Sequence, residues 1–388
     1  MKYKICVITG TRAEYGLLKS LLRRLKQNTK IELTLIVTGS HLSKLFGNTQ
    51  KEIKNDGFDD YISVELPMKD DTKTGMSYAT GVAICKFSKV LANDKYDLVL
   101  VLGDRFEILS AGLAAFMLRI PIAHIAGGDI TEGAMDDSIR HCLTKIASIH
   151  FPSNKIAEKR IIQLGEDPRR VFNVGEPGVE NCLNLSLLSR QELENQINFD
   201  IEFNEYALVT FHPVTLEDNN CEKVYSLIDA MNKIHDMKYI ITMANADAGG
   251  REINEIWNKE IRKHSNWKLF SSLGSYKYLS ALKHAKFVIG NSSSGLIEAP
   301  ALGVPTVNIG NRQKGRLIAD SVVSCDYIAN NIEEAIKKVI SDDFQEYAKN
   351  IKCPFGDGST SKQIEKHIIE FLENGQNKII KKFYDIEF

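Results

Sequence analysis

Short runs of apolar residues alternate along this chain with longer stretches in which apolar positions recur every three or four residues. In the first half, Ile5-Cys-Val-Ile8, Ile31 to Val37, Leu98-Val-Leu-Val-Leu102 and Ile122-Ala-His-Ile125 have the length and continuous hydrophobicity of strands covered on both faces. The intervening segments Tyr15 to Leu25, Tyr78 to Leu91, Ile108 to Leu118 and Asp137 to Ala147 read as helices. The second half repeats the plan. Its strands are Tyr206 to Phe211, Tyr239 to Thr242, Phe287 to Ile289 and Thr306 to Ile309, and its helices are Val224 to Ile234, Glu252 to Lys263, Tyr278 to His284 and Ile332 to Ile340. This alternation predicts an α/β protein built from two Rossmann-like, doubly wound domains facing across a cleft. The polar, strand-poor region Pro177 to Asn204 is the candidate linker, with an amino-terminal domain over 1–178 and a carboxyl-terminal domain over 179–360. The last segment, 361–388, begins with an amphipathic helix, Ser361 to Leu372, expected to pack back on the first domain.

A length of 388 residues suits two domains of this size. Lys plus Arg (49) balances Asp plus Glu (50), so nothing draws the whole molecule to nucleic acid or an anionic membrane, and any anion site must be local. The seven cysteines are scattered with no C-x-x-C pair, which argues against a disulfide framework or a zinc site and for a reducing compartment. Met1-Lys-Tyr-Lys leads straight into a strand, and no apolar run approaches the ~18 residues of a membrane helix, so a cytoplasmic protein is expected.

Parallel sheets bind ligands beyond the carboxyl ends of their strands. The richest such segment is Gly290-Asn-Ser-Ser-Ser-Gly-Leu-Ile-Glu298, where hydroxyls and glycines meet a helix start. It reads as a cradle for a nucleotide diphosphate, with Ser292 and Ser293 on the anion and Glu298 able to take sugar hydroxyls; the plainer alternative is a serine-rich helix cap. Gly310-Asn-Arg312 adds a fixed cation, and Phe211-His212-Pro213 presents a rigid histidine that is either a phosphate or leaving-group donor or a turn residue. Asn245-Ala-Asp247 follows another strand and is a further binding candidate.

In the first half, Thr9-Gly-Thr-Arg-Ala-Glu-Tyr-Gly16 lacks the G-x-G-x-x-G spacing, so no nicotinamide cofactor is expected; Arg12 is a candidate phosphate ligand or a surface ion pair. Gly103-Asp104-Arg105 offers an acid kept ionised by its neighbour, or a structural pair. His124-Ile-Ala-Gly-Gly-Asp129 leads into Asp136-Asp137-Ser-Ile-Arg140-His141, where Asp136 is placed either to cap a helix or to transfer protons. Asp137, Arg140 and His141 share one helix face. His41 is a secondary candidate after the second strand.

Taken in order, Gly-Thr-Arg-Ala-Glu-Tyr, Gly-Asp-Arg, His-Ile-x-Gly-Gly-Asp, Asp-Asp-Ser-Ile-Arg-His, Phe-His-Pro-Val-Thr, Gly-Asn-Ser-Ser-Ser-Gly-Leu-Ile-Glu and Gly-Asn-Arg-Gln-Lys-Gly-Arg resemble the hydrolysing UDP-N-acetylglucosamine 2-epimerases of sialic-acid biosynthesis. The resemblance spans nearly the whole chain. It implies two Rossmann-like domains arranged as in B-type glycosyltransferases, and conversion of UDP-N-acetylglucosamine and water into N-acetylmannosamine and UDP. The implied route is elimination of UDP to a glycal, then hydration, with no cofactor or metal. Asp104 and Asp136 match the family's catalytic acids and His212 its active-site histidine. Arg12, Ser292, Ser293, Glu298 and Arg312 match nucleotide-binding positions, and Arg105, Asn245 and Asp247 are grouped with them. Many relatives carry a catalytic Glu where this chain has Ala126; Asp129, or alternatively Glu132, is expected to replace it, with Asp137 nearby. The resemblance further implies a homodimer or homotetramer; the apolar stripes on Tyr15 to Leu25 and Tyr78 to Leu91 fit outward contacts or core burial equally well. Two substrates stay open, UDP-N-acetylglucosamine and a nucleotide-linked 2,4-diacetamido-2,4,6-trideoxyhexose, as do a non-hydrolysing epimerase, a glycosyltransferase and a nucleotide-sugar sensor.

Overall fold

A computed structural model describes the chain except for residues 1, 44–48, 69–71, 132–134, 202, 215–219, 245–248, 376–378 and 388. It divides into two compact units, Met1–Asn181 with Gly358–Phe388, and Cys182–Asp357. Against boundaries of 178/179 and 360/361 read from the sequence, the first division thus falls inside a helix, Pro177–Asn184.

The first unit is a six-stranded parallel sheet of β1 (Tyr3–Thr9), β2 (Ile31–Thr38), β3 (Ile62–Val64), β4 (Leu98–Leu102), β5 (Ile122–Ile125) and β6 (Ile149–Phe151). Their order is β3-β2-β1-β4-β5-β6. Successive side chains of β1 point to opposite faces. Ile5 and Val7 therefore enter one core with helices Arg12–Gln27 and Thr360–Glu373, while Cys6 and Ile8 enter another with helices Lys73–Leu91 and Phe106–Met117. Tyr15, Leu18, Leu21, Leu22 and Leu25 are all buried, so the apolar stripe of helix Arg12–Gln27 belongs to this core and leaves no outward contact face. Helix Lys73–Leu91 does keep Tyr78 exposed while burying Ala79, Ala83, Phe87 and Leu91. Beyond helix Thr360–Glu373, Lys381 reaches the buried Glu166 at 2.6 Å, which also accepts from Lys145 and pairs with His150.

The second unit repeats the topology with β7 (Tyr206–Thr210), β8 (Lys238–Thr242), β9 (Trp267–Phe270), β10 (Phe287–Gly290), β11 (Thr306–Ile309) and β12 (Val322–Cys325). The order β12-β11-β10-β7-β8-β9 is the first unit's order read from the other edge. Sequence patterning misses β3, β6, β9 and β12. Each is short and all four are edge strands, whose exposed side admits polar residues such as Lys268 and Ser324 and breaks the continuous apolar signal.

The expected linker is not one. Residues 177–204 hold helices Pro177–Asn184 and Arg190–Ile197, and Cys182, Leu188, Leu193, Ile197 and Ile201 are buried in the core of the second unit. A capping box at Ser189 and Glu192 starts the second of these helices. No helix among the described residues is long and apolar enough to cross a membrane.

Candidate active site

In a sheet of this order the chain leaves the first strand and the fourth in opposite directions, opening a crevice at their carboxyl ends. In the first unit those strands are β1 and β4. After β1, helix Arg12–Gln27 begins with free backbone donors that in nucleotide-binding folds face an anion. Here the Glu14 carboxylate, from the first turn, meets the two donors just before the helix. Its Oε2 accepts from the backbone N–H of Gly10 at 2.8 Å and of Thr11 at 3.2 Å, closing a capping box with Thr11. Burial, reinforced by the nearby Glu107 charge, pushes the Glu14 carboxyl up to about 7. Glu107 is fully buried; its Oε1 accepts from Arg105 Nε at 2.8 Å, and its Oε2 has no partner among the described residues. Gly10 is required beneath it, because a Cβ there would lie 2.8 Å from the Glu107 side chain.

Arg12 sits at the surface, its Nε 2.9 Å from Glu52. His41 is buried with one ring nitrogen 3.2 Å from Thr9 Oγ1 and the other 2.7 Å from Thr49 Oγ1, and burial lowers its pKa to about 4. Both of its ring nitrogens are thus engaged within the fold.

Beyond β4 and β5, Arg140 gathers the acids. Only 5% exposed, it donates through Nε to Asp104 Oδ2 at 2.8 Å, with Nη2 on the same oxygen. Its Nη1 reaches the Asp129 carbonyl at 2.7 Å and its Nη2 the Thr131 hydroxyl at 3.1 Å. Asp137 lies 3.6 Å from Arg140 and from His141, and its Oδ1 accepts from the Thr131 N–H at 2.6 Å. Asp136 does not cap this helix, which begins at Met135; it stands in the first turn, where partial burial of its carboxyl and the Asp104 charge hold it above the usual carboxylate range.

The Asp129 carboxylate accepts from Ser153 Oγ at 3.1 Å and Asn154 Nδ2 at 3.0 Å, and Asn154 also caps helix Lys155–Gln163. Ala126 has a φ of 60°, a left-handed conformation that costs an alanine on the order of 1 kcal/mol. His124 is buried, and burial lowers its pKa to about 3; its Nε2 lies 2.9 Å from the Gly103 carbonyl, so Nε2 carries the proton and steadies the turn that presents Asp104. Glu132, Asn245 and Asp247 lie outside the described residues.

In the second unit the corresponding strands are β7 and β10. Gly290, at φ 139°, ends β10 so close to β7 that a Cβ would overlap the Thr210 carbonyl. The chain then turns through Asn291, Ser292 and Ser293 into helix Ser294–Ala301. Ser293 occupies the cap position without a side-chain cap bond, while the Ser292 hydroxyl accepts from the Ser294 N–H at 3.4 Å. Asn291 is fully buried; its Oδ1 accepts from the His212 N–H at 2.7 Å and its Nδ2 donates to the His212 carbonyl at 2.8 Å. The Asn291 carbonyl accepts from Arg312 Nη1 at 3.1 Å and Gln313 Nε2 at 2.8 Å. Glu298 lies one turn along the helix from Ser294, and burial raises its carboxyl against the opposing charge of Arg316.

The first unit thus brings together Asp104, Arg105, Asp129, Asp136 and Asp137, and the second His212, Ser292, Ser293, Glu298 and Arg312. Reading the strand ends missed Glu14 and Glu107 as members of the first group and Asn291 and Gln313 as members of the second. Only Glu14 carried a local signal, the capping-box spacing from Thr11. Among the described residues, no three His, Cys, Asp or Glu side chains are grouped to hold a metal ion.

The UDP-N-acetylglucosamine 2-epimerase family matches residues 23–369. The chain is 39% identical over 347 residues, 89% of each protein, to the GDP/UDP-N,N'-diacetylbacillosamine 2-epimerase (hydrolyzing) of Campylobacter jejuni. It is 37% identical over 387 residues to polysialic acid biosynthesis protein P7 of Escherichia coli, covering 99% of this chain and 97% of that one. Its fold is that of the Neisseria meningitidis UDP-GlcNAc 2-epimerase solved with UDP-GlcNAc, with a TM-score of 0.78 at 19% identity over 95% of this chain and 100% of the other.

Proposed function

The chain belongs to the UDP-N-acetylglucosamine 2-epimerase family, and from that premise we propose the hydrolysing reaction, in which UDP-N-acetylglucosamine and water give N-acetylmannosamine and UDP for sialic-acid biosynthesis. The observation that carries this reading is the group of carboxylates at the ends of β4 and β5, held by Arg140 and Arg105. Proton transfer at a sugar carbon needs such groups, whereas simple nucleotide binding does not.

In the proposed chemistry a carboxylate removes the C2 proton while the C1–O bond breaks, its electron pair leaving on the β-phosphate oxygen of UDP. The C1–C2 double bond that forms then adds water, hydroxyl to C1 and a proton to C2 from the opposite face. Asp104 and Asp136 are the assigned proton carriers. The raised Asp136 carboxyl suits a donor, and Asp104 beside Arg140 suits a base. Asp129 is the third candidate, supported by its place after β5, although Ser153 and Asn154 already engage its carboxylate. In the second unit, Ser292, Ser293, the helix start behind them, Arg312 and His212 are assigned to the diphosphate and Glu298 to the ribose hydroxyls, where donors stabilise the departing charge. Arg12, Arg105, Asn245 and Asp247 complete the proposed binding set.

The test is incubation with UDP-N-acetylglucosamine in heavy water, following UDP, free sugar and deuterium at C2 by NMR. Deuterated N-acetylmannosamine with one UDP per sugar is expected; UDP-N-acetylmannosamine without net UDP release would overturn the hydrolysing reading. A second substrate, a nucleotide-linked 2,4-diacetamido-2,4,6-trideoxyhexose, is favoured by the Campylobacter relative. Supplying both nucleotide sugars and comparing kcat/KM separates the two.

A further inference from the structure

At the end of β10 the backbone turns away from β7, yet the pairing between the two strands continues for one more residue through a side chain. The last ladder pair is Gly290 with Thr210, and the Asn291 N–H still donates to the Thr210 carbonyl at 3.1 Å. Beyond that point the Asn291 amide takes over from the peptide, accepting from the His212 N–H at 2.7 Å and donating to the His212 carbonyl at 2.8 Å. A carboxamide has the same donor and acceptor as a peptide group, so it satisfies both backbone groups of His212 at once. Pro213 follows, which fixes its own φ and restricts the backbone of His212. On its backbone side, Asn291 anchors Arg312 and Gln313 through its carbonyl. Three loops, after β7, β10 and β11, therefore meet at one fully buried residue.

We infer that Asn291 is a positioning residue, whose side chain sets His212 against the serine loop and Arg312. This rests on the proposed reading that these groups act on one nucleotide sugar. The two arms of Asn291 are chemically separable. Its backbone carbonyl, which holds Arg312 and Gln313, survives any substitution; its amide, which holds His212, does not. Truncation therefore moves His212 and leaves the serine loop tethered by Gly290, Arg312 and Gln313.

Asn291→Ala is expected to lower kcat about 100-fold, the scale of a misplaced catalytic group, while the Kd for UDP rises by about tenfold at most, the share of one diphosphate donor. In a His212→Ala background the same change should cost less than about threefold in kcat, because the group it positions is already gone. Full additivity of the two substitutions, or loss of UDP affinity in proportion to kcat, overturns the proposal. Asn291→Asp keeps the shape and the acceptor for the His212 N–H but sets an oxygen against the His212 carbonyl. It should fall between wild type and Asn291→Ala, and it guards against a simple failure of the alanine variant to fold. A readout independent of turnover is NMR of nitrogen-labelled histidine, with His212→Ala identifying the signal. In wild type, saturating UDP should shift the His212 ring resonances; in Asn291→Ala, UDP should bind without shifting them. If neither sugar is turned over, the functional reading fails while this coupling stands; if UDP binds wild type without moving His212, the positioning role fails whatever the substrate.

Discussion

The two units share one strand order and differ in what fills the crevice that this order creates. At the end of β1 in the first unit, the Glu14 carboxylate occupies the backbone donors of Gly10 and Thr11. Around it are carboxylates paired with two arginines. At the end of β10 the second unit offers Ser292 and Ser293 and a helix start, with the Glu298 carboxyl interacting with the Ser294 side chain one turn back. Topology selects where ligand chemistry is placed, but the first helix residues decide its kind. Under the proposed function, the crevice with Glu14 belongs to proton transfer and the hydroxyls after Gly290 belong to the anion.

That contrast breaks most directly at Asp104. Asp104→Asn keeps the shape beside Arg140 but cannot carry a proton, so UDP release should fall by about 1,000-fold with little change in UDP affinity. A large loss of UDP affinity instead would move the anion site toward the first unit.

The paired change Ser292→Ala, Ser293→Ala sharpens the other side. If these hydroxyls stabilise the leaving diphosphate, kcat should fall by about 100-fold together with weaker UDP binding. A rise in KM alone would reduce the loop to binding.

Glu14 tests how the donors of the first crevice are occupied. Its carboxyl is raised from 4.5 to about 7 in the folded protein. A raised folded-state value means stability fully present below the unfolded pKa and lost as pH climbs through about 7. Glu14→Gln keeps an acceptor for Gly10 and Thr11 without titrating. Measured by urea denaturation, it should therefore gain on wild type by about 1–3 kcal/mol between pH 5 and 8. A difference independent of pH would mean that Glu14 is not held protonated by its burial.

The smallest effect concerns Arg12. Its ion pair with Glu52 is exposed, so Arg12→Ala should leave stability within about 0.5 kcal/mol. If Arg12 also meets the substrate phosphate, KM for the nucleotide sugar should rise roughly tenfold; an unchanged KM returns it to the surface pair alone.

The central strands of both sheets and the motifs at their ends were legible in the chain, because a buried strand must be continuously apolar and a ligand loop must begin where that run stops. Gly103-Asp-Arg105 and Gly290 to Glu298 were found in this way. Edge strands such as β9 and β12 were not, since one open side relaxes the constraint. Residues 177–204 were misread as a linker because their buried leucines and isoleucines are few and divided between one short helix (Leu193, Ile197) and the loops beside it (Leu188, Ile201), which leaves little periodic signal.

The sequence by itself determined the alternation of strands and helices, the parallel two-sheet plan and the strand-end positions where chemistry sits, since each follows from periodicity over a few residues. Only the tertiary structure decided the partners. Arg140 meets Asp104 from 36 residues away, across the paired ends of β4 and β5, and Asn291 meets His212 across 79, through the non-sequential pairing of β7 with β10. It also decided which carboxyls are raised, because the shifts of Glu14 and Asp136 arise from burial and from neighbouring charges that no local pattern encodes.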